Sequence, residues 1–228
     1  MIRIITLIGF ILFSLVTHAQ QVIITSIVDG TLSGGKPRVM ELYVNGTADL
    51  ATYRIERVGS TQKIQLSGIY TNEFVYIIIN SSEEEFNNMF GNSGDFSNRI
   101  LSNSTNWNGD DAYQLTDEGV VVDQVGEMGT VNYQDSYLYR KDNTGLDAAW
   151  IATNWNIPGN DILDDLNAEE QSVLIPLGTY QTTPMAASIT VSAQTAPEEP
   201  ATMGYFRLIL NQEPSSDINV TYQLSGTA

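Results

Sequence analysis

Short runs of β-branched and aromatic residues, each closed by Gly, Asn or Asp, recur along the chain from residue 22 onward. Seven such runs stand out: VIITSIV (22–28), RVMELYV (38–44), YRIERV (53–58), FVYIIIN (74–80), AYQL (112–115), VVVDQV (120–125) and YLYRK (137–141). Strands of four to eight residues between turn signals are typical of antiparallel sandwiches and barrels, not of parallel βαβ units. The pattern therefore predicts an all-β fold built as a sandwich.

One short helix interrupts the strands, in SSEEEFNNMFG at 81–91. Ser82 and Glu85 have capping-box spacing, and Gly91 can end the helix. The apolar residues Phe86, Met89 and Phe90 fall on one face. We expect this helix to plug one end of the sandwich.

The first residues carry the signals of export. Arg3 precedes an apolar run from Ile4 to Val16, and the small residue Ala19 follows, which is typical of a secretory signal peptide cleaved after Ala19. The run is shorter than the roughly 20 residues that a membrane-spanning helix needs. We therefore expect residues 1–19 to be removed and the protein to be secreted or held at the cell surface, with no transmembrane segment.

The composition excludes much catalytic chemistry. Cysteine is absent, and the single histidine, His18, lies in the predicted signal peptide. Without these residues there is no Ser-His-Asp or Cys-His nucleophile, no ordinary zinc site and no disulfide framework. Carboxylates, hydroxyls, lysine and hard cations remain. We expect no catalytic constellation in this chain and therefore no enzyme activity of its own.

The charge balance bears on partners. The chain has 27 acidic against 10 basic residues, a formal net charge of -17, and its Lys and Arg residues are scattered. Because nucleic-acid binding depends on clustered basic side chains that contact phosphates, we expect no direct nucleic-acid binding.

The longer part of the chain resembles a known family. Its most specific pieces are ELYV at 41–44, and NGDDAYQL at 108–115 followed by VVVDQVG at 120–126. In this order they are similar to the lamin-tail domain of secreted bacterial proteins, over residues 21–181. The resemblance implies an immunoglobulin-like β-sandwich without enzymatic activity, of the kind appended to secreted nucleases and phosphatases and presumed to tether or bind. The acidic stretch NDILDDLNAEE (160–170) departs from the pattern.

A second domain is predicted after the strand-like VLIPLGTYQ (173–181) and a linker at 182–187. Residues 188–228 contain the strand patterns SITVSAQ (188–194), GYFRLIL (204–210) and INVTYQL (218–224). They resemble the start of a Calx-beta domain and cover under half of one, an incomplete second sandwich. By this resemblance Glu199 matches a calcium-ligating glutamate, whereas the matching aspartates lie beyond the segment covered.

Adjacent carboxylates at Asp110 and Asp111 follow Asn108-Gly109, a strong turn signal. Asx side chains at such a place accept backbone N–H groups, so we expect a turn role for both. Asp117-Glu118-Gly119 should similarly join two strands in a hairpin. The alternative for Asp110 and Asp111 is calcium, because clustered Asp and Asn, here and at 160–165, supply the hard oxygen ligands that this cation prefers.

Two other carboxylates fall among core-like positions. Asp123 shares a strand face with Val121 and Val125, and Glu41 lies between Val39 and Tyr43. A buried carboxylate needs a hydrogen bond or an ion pair, so we expect structural roles and an arginine beside Asp123. A glycosidase could use two carboxylates without histidine, but the three tryptophans show no groove pattern, and we reject that function.

The sequence therefore predicts a non-catalytic module for binding or adhesion outside the cell. The alternative is a targeting module of a larger secreted hydrolase or nuclease, and a third is a spacer. No ligand and no oligomeric state follow from the sequence, and calcium is the one cofactor that the composition favours.

Overall fold

In the computed structural model, residues 21–104 and 107–182 are described in full, and residues 187–191 and 206–210 as backbone. The chain divides into a unit spanning Gln20–Pro184 and a second unit, whose described residues form two strands. Within these described residues, no helix has the length and apolar character needed to cross a membrane. The predicted signal peptide lies outside them.

The first unit is built mostly from strands. Its elements are β1 (Gln21–Leu32), β2 (Lys36–Asp49), β3 (Tyr53–Arg57), β4 (Lys63–Gln65), β5 (Ile69–Ile79), α1 (Glu83–Phe90), β6 (Arg99–Ser102), β7 (Tyr113–Asp117), β8 (Val120–Val125), β9 (Tyr137–Arg140), β10 (Trp155–Asn156) and α2 (Ala168–Leu174). In the second unit, β11 (Ala187–Val191) and β12 (Phe206–Leu210) pair antiparallel, where the sequence predicts two strands.

The strands of the first unit form two sheets. One has six strands in the order β10-β9-β1-β2-β5-β6, and the other has four in the order β4-β3-β7-β8. Each of the seven predicted runs lies in a strand except for at most one residue at its ends, so the all-β sandwich is confirmed, and its immunoglobulin-like type stays a prediction. One pair departs from the antiparallel expectation, since β6 runs parallel to β5.

Strand β1 is central and has two buried faces. Val22, Ile24 and Ile27 contact the core between the sheets, whereas Ile23 and Val28 contact a second core on the outer side. The face changes because a bulge between Ile24 and Ser26 inserts one extra residue, Thr25, into β1. Two buried faces explain why this segment has an almost continuous apolar sequence.

The second core makes the unit a three-layered structure. It covers the outer face of the six-stranded sheet with Phe86 of α1 and with apolar residues of the segment from 163 to 180. The helix α1 therefore packs on a sheet face, and the prediction that it plugs one end of the sandwich is wrong. The aromatic spacing of Phe86 and Phe90 is what fits it to this face.

The ends of the helices correct two further predictions. Ser82 does not cap α1 with its side chain, because its hydroxyl accepts the Arg38 N–H at 3.0 Å. The capping box lies instead at α2, between Asn167 and Glu170. The strand predicted over 173–181 is wrong as well: its first two residues end α2, and the remainder has no regular structure.

A second bulge corrects the predicted faces of β8. Leu115 pairs with Asp123 and Thr116 with Val121, so Val122 has no partner in the register. Val122 consequently packs against the core between the sheets, together with Val125, although the simple alternation places them on opposite faces. The hairpin between β7 and β8 is confirmed, and its two loop residues, Glu118 and Gly119, both have positive φ, as tight hairpins require.

Candidate functional site

The predicted arginine partner of Asp123 is Arg140 of β9. Arg140 Nη2 lies 2.6 Å from Asp123 Oδ1, and both side chains are fully buried. A second carboxylate, Asp147, lies 3.0 Å from Nη1, and the Trp155 ring stacks on the guanidinium with 4.6 Å between its centroid and Cζ. The prediction of a buried, ion-paired Asp123 is therefore confirmed.

Asp123 also binds the backbone. Its Oδ2 accepts the Ile24 N–H at 2.8 Å, and its Oδ1 accepts the N–H groups of Gln124 and Asp147 at 3.0 Å each. Burial raises the pKa of Asp123 to about 6, against the opposing effect of Arg140 and these donors. Every oxygen of this carboxylate thus has structural partners.

Glu41 is fully buried on the outer face of the six-stranded sheet, as predicted. Thr25, the bulged residue of β1, donates its hydroxyl to Glu41 Oε1 at 2.6 Å. On the other side, Gly178 donates its N–H to Oε2 at 2.5 Å. Burial raises the pKa of Glu41 to about 7, and these two hydrogen bonds only partly offset the effect.

Two tyrosines complete the surroundings of Glu41. The pKa of Tyr76 is raised by burial and then by the Glu41 charge, and within the described residues its hydroxyl forms no hydrogen bond of ordinary geometry. Burial raises the pKa of Tyr139 as well, with Glu41 the second cause. The Tyr139 hydroxyl accepts the N–H of Thr179 at 3.2 Å. Glu41 and Tyr139 together fasten residues 175–182, here called the strap, to the sheet.

Asp110 and Asp111 lie at the predicted turn, but their partners differ from the expected backbone N–H groups. Asp111 is buried, forms an ion pair with Arg57 and accepts the Tyr113 hydroxyl at 3.1 Å. With its amide nitrogen turned toward them, Asn108 reaches Asp110 Oδ1 at 3.0 Å and Asp111 Oδ2 at 3.1 Å. Burial raises the pKa of Asp111, whereas Tyr113 and Arg57 lower it.

A third acidic group was only partly visible in the sequence. Carboxylate oxygens of Asp135, Asp161 and Asp164 lie within 4.8 Å of one another. Backbone hydrogen bonds join the two segments, from Asp161 to the Gln134 carbonyl and from Leu163 to the Asp135 carbonyl. Desolvation and the neighbouring aspartates raise the pKa of Asp164. Three such oxygens can hold a hard cation, although exposed acidic groups are also common without one. The third predicted ligand, Glu199, lies outside the described residues.

An open groove crosses the outer face of the six-stranded sheet beside the strap. It has a volume of about 630 Å³ and is lined by Tyr43, Asn72, Phe74, Gly178, Thr179, Tyr180, Gln181 and Thr182. No sequence motif indicated this groove, because the strap meets β2 and β5 only in the folded chain.

The edges of the six-stranded sheet are the other exposed feature. No described strand pairs with the outer side of β6 or of β10. Leu101 on β6 is 44% exposed, and Ile157, directly after β10, is 43% exposed.

Comparisons with protein-family models, curated proteins and solved structures found no match to this chain.

Proposed function

We propose that this chain is a non-catalytic module that binds a ligand at the cell exterior through exposed sheet edges and loops. The observation that carries the proposal is the six-stranded sheet, in which no described strand pairs with the outer sides of its edge strands β6 and β10. Exposed apolar residues lie at both edges, Leu101 on β6 and Ile157 directly after β10. An unpaired edge offers a row of backbone donors and acceptors to an extended partner.

The buried carboxylates support the non-catalytic part of the proposal. Asp123 is engaged by Arg140, Asp111 by Arg57 and Asp29 by Arg38. Glu41 is engaged by Thr25 and Gly178. A general acid or base must reach a substrate proton, whereas these groups face partners within the fold.

The family assignments remain part of the proposal. The order of the strand motifs supports a lamin-tail-like sandwich over residues 21–181, and the β11–β12 hairpin is consistent with a second, Calx-beta-like sandwich over 188–228. Export through residues 1–19 would place both outside the cell. The alternative function is a targeting module of a larger secreted hydrolase or nuclease, which needs the same inert sandwich.

Calcium is proposed as a weakly held surface cation. Binding through Asp110 and Asp111 would require Asp111 to leave Arg57 and Tyr113, so Asp135, Asp161 and Asp164 form the better donor set. The test compares melting of the full chain in millimolar CaCl₂ and in NaCl of matched ionic strength. A higher midpoint in calcium supports binding, and equal midpoints contradict it.

The binding function is tested by retention. The full chain is passed over envelope polysaccharide, outer-membrane material and DNA at low salt, and we expect retention on an envelope fraction. Leu101→Lys and Ile157→Lys each place a charge at one of the two edges, and each should weaken retention. Val173→Lys is the matched control, since Val173 is 83% exposed and lies on α2, not on an edge strand. Absence of retention, or equal loss in all three variants, contradicts the proposal.

A further inference from the structure

The groove beside the strap has the chemistry of a small-molecule site. Its volume of about 630 Å³ is in the range usual for such sites. We propose that it binds a neutral saccharide. The inference rests on the proposed function as an extracellular binding module and names a class of ligand for it. The groove is a surface separate from the sheet edges.

Three aromatic residues are among those that line the groove. The ring centroid of Tyr43 lies 5.0 Å from that of Phe74 and 5.9 Å from that of Tyr180, with tilted planes. Tyr43 and Phe74 are partly exposed, whereas Tyr180 is buried. A sugar ring has one face of C–H groups, and partly exposed aromatic rings offer the apolar surface that such a face covers.

Polar side chains border the rings. Gln181 is exposed and Thr182 partly so, and an amide or a hydroxyl can both donate and accept hydrogen bonds. Asn72 uses its Oδ1 to accept the Gly46 N–H at 2.8 Å, which leaves its amide N–H groups for a ligand. Side chains that can both donate and accept hydrogen bonds are suited to the hydroxyl groups of a sugar, which do the same.

None of the described residues that line the groove is charged, in a chain with 27 acidic side chains. The carboxylate beneath it, Glu41, is fully buried and accepts the Gly178 N–H. A cationic ligand would find no counter-charge here, and an anionic ligand would be repelled by the net charge of the protein. These two facts favour a neutral, polar ligand.

The lining is also held in place before any ligand arrives. Glu41 and Tyr139 fasten the strap at Gly178 and Thr179. Gln181 is fixed through its backbone, since its N–H donates to Asp142 at 2.9 Å and its carbonyl accepts the Asn143 N–H at 3.0 Å. A preformed site loses little conformational entropy on binding, and its open form predicts weak affinity.

The test uses the full chain and ligand-observed NMR. The probes are neutral glucan, xylan and chitin oligosaccharides, with a uronic-acid oligosaccharide and a neutral extended peptide as competing classes. We expect millimolar binding of at least one neutral oligosaccharide. Tyr43→Ala should weaken it by about threefold to tenfold, and Gln181→Ala by about threefold.

Two controls make the result decisive. Gln134→Ala changes an exposed glutamine outside the groove and should leave binding unchanged. If Tyr43→Ala proves unstable, Gln181→Ala decides, because its backbone anchors remain. Binding that both groove variants leave intact, a preference for the acidic sugar or the peptide, or no binding at all overturns the inference. Retention lost in the edge variants with saccharide binding preserved would separate this site from the proposed edge function.

Discussion

Arg140 and Asp123 meet inside the sandwich, and together they satisfy both backbone groups of Ile24. Asp123 accepts the Ile24 N–H at 2.8 Å, and Arg140 Nε donates to the Ile24 carbonyl at 2.6 Å. Strand β9 pairs with β1 only from Ser26 to Val28. Beyond that pairing, the side chains of Asp123 and Arg140 supply the hydrogen bonds that Ile24 does not receive from β9. Buried backbone groups need partners, and here two charged side chains supply them.

Loss of this pair should be costly. Arg140→Met leaves the Asp123 carboxylate buried without its counter-ion and the Ile24 carbonyl without its donor. We expect the free energy of unfolding to fall by about 3–5 kcal/mol, measured by urea denaturation. The matched control is Arg54→Met, which removes only a hydrogen bond to Gln65 and should change stability by less than about 0.5 kcal/mol. Similar losses in the two variants would contradict the structural role.

Glu41 should make stability depend on pH. Its pKa is raised from 4.5 to about 7 in the folded chain, so the folded state binds the proton more tightly than the unfolded state does. Stability from this group is therefore complete below pH 4.5 and is lost as pH rises through 7, a change of about 3 kcal/mol. Glu41→Gln keeps an acceptor for the Gly178 N–H and should remove that part of the slope. Unfolding curves from pH 4 to 8 with equal slopes for both proteins would refute this.

Gly109 should tolerate no side chain. Its φ is +91°, and a Cβ would lie 2.2 Å from the Gln134 Cα. Gly119 has a similar φ of +85° but open space around it, so Gly119→Ala measures the conformational strain alone, about 1 kcal/mol. We expect Gly109→Ala to cost at least about 2 kcal/mol more, since backbone must move. Equal denaturation midpoints for the two variants would disprove the close approach.

The cap of α2 gives a fourth prediction. Asn167 accepts the N–H groups of Glu169 and Glu170 at 2.9 and 3.1 Å. Asn167→Ala should therefore lower stability by about 1 kcal/mol. Glu169→Ala, in the same first turn, removes only a favourable charge near the helix N-terminus and should cost a few tenths of that. Thermal melts at neutral pH compare them, and a larger loss at Glu169 would contradict the cap.

Seven strands of the first unit could be predicted from the local sequence pattern, whereas the short strands β4, β6 and β10 could not. Several other features depend on distant partners. The apolar run of β1 predicted a strand, and the core-like position of Asp123 predicted that an arginine would form an ion pair with it. The sequence could not select Arg140 from the other arginines, because the choice depends on β9 lying beside β1. The faces of β8 were misassigned for a related reason, since a single bulge at Val122 reverses the alternation.

The outer layer was the least predictable part. Asp135 and Asp161 are 26 positions apart and meet only because backbone hydrogen bonds join their segments. The groove needs Tyr43 from β2 and Gln181 from the strap. Ser82 showed a capping-box spacing, yet the nearby Arg38 N–H takes its hydroxyl. At Ser82 a tertiary hydrogen bond thus overrides a local capping signal.

The strap has a mechanical consequence. It is the segment through which a pull on residue 182 would reach the six-stranded sheet. To pull the strap away from the sheet, such a load must break the hydrogen bonds that Glu41 and Tyr139 make to Gly178 and Thr179. It must also withdraw the buried side chains of Ile175, Leu177 and Tyr180 from the outer core. These contacts hold the strap to the sheet independently of the hydrogen bonds that pair the strands with one another.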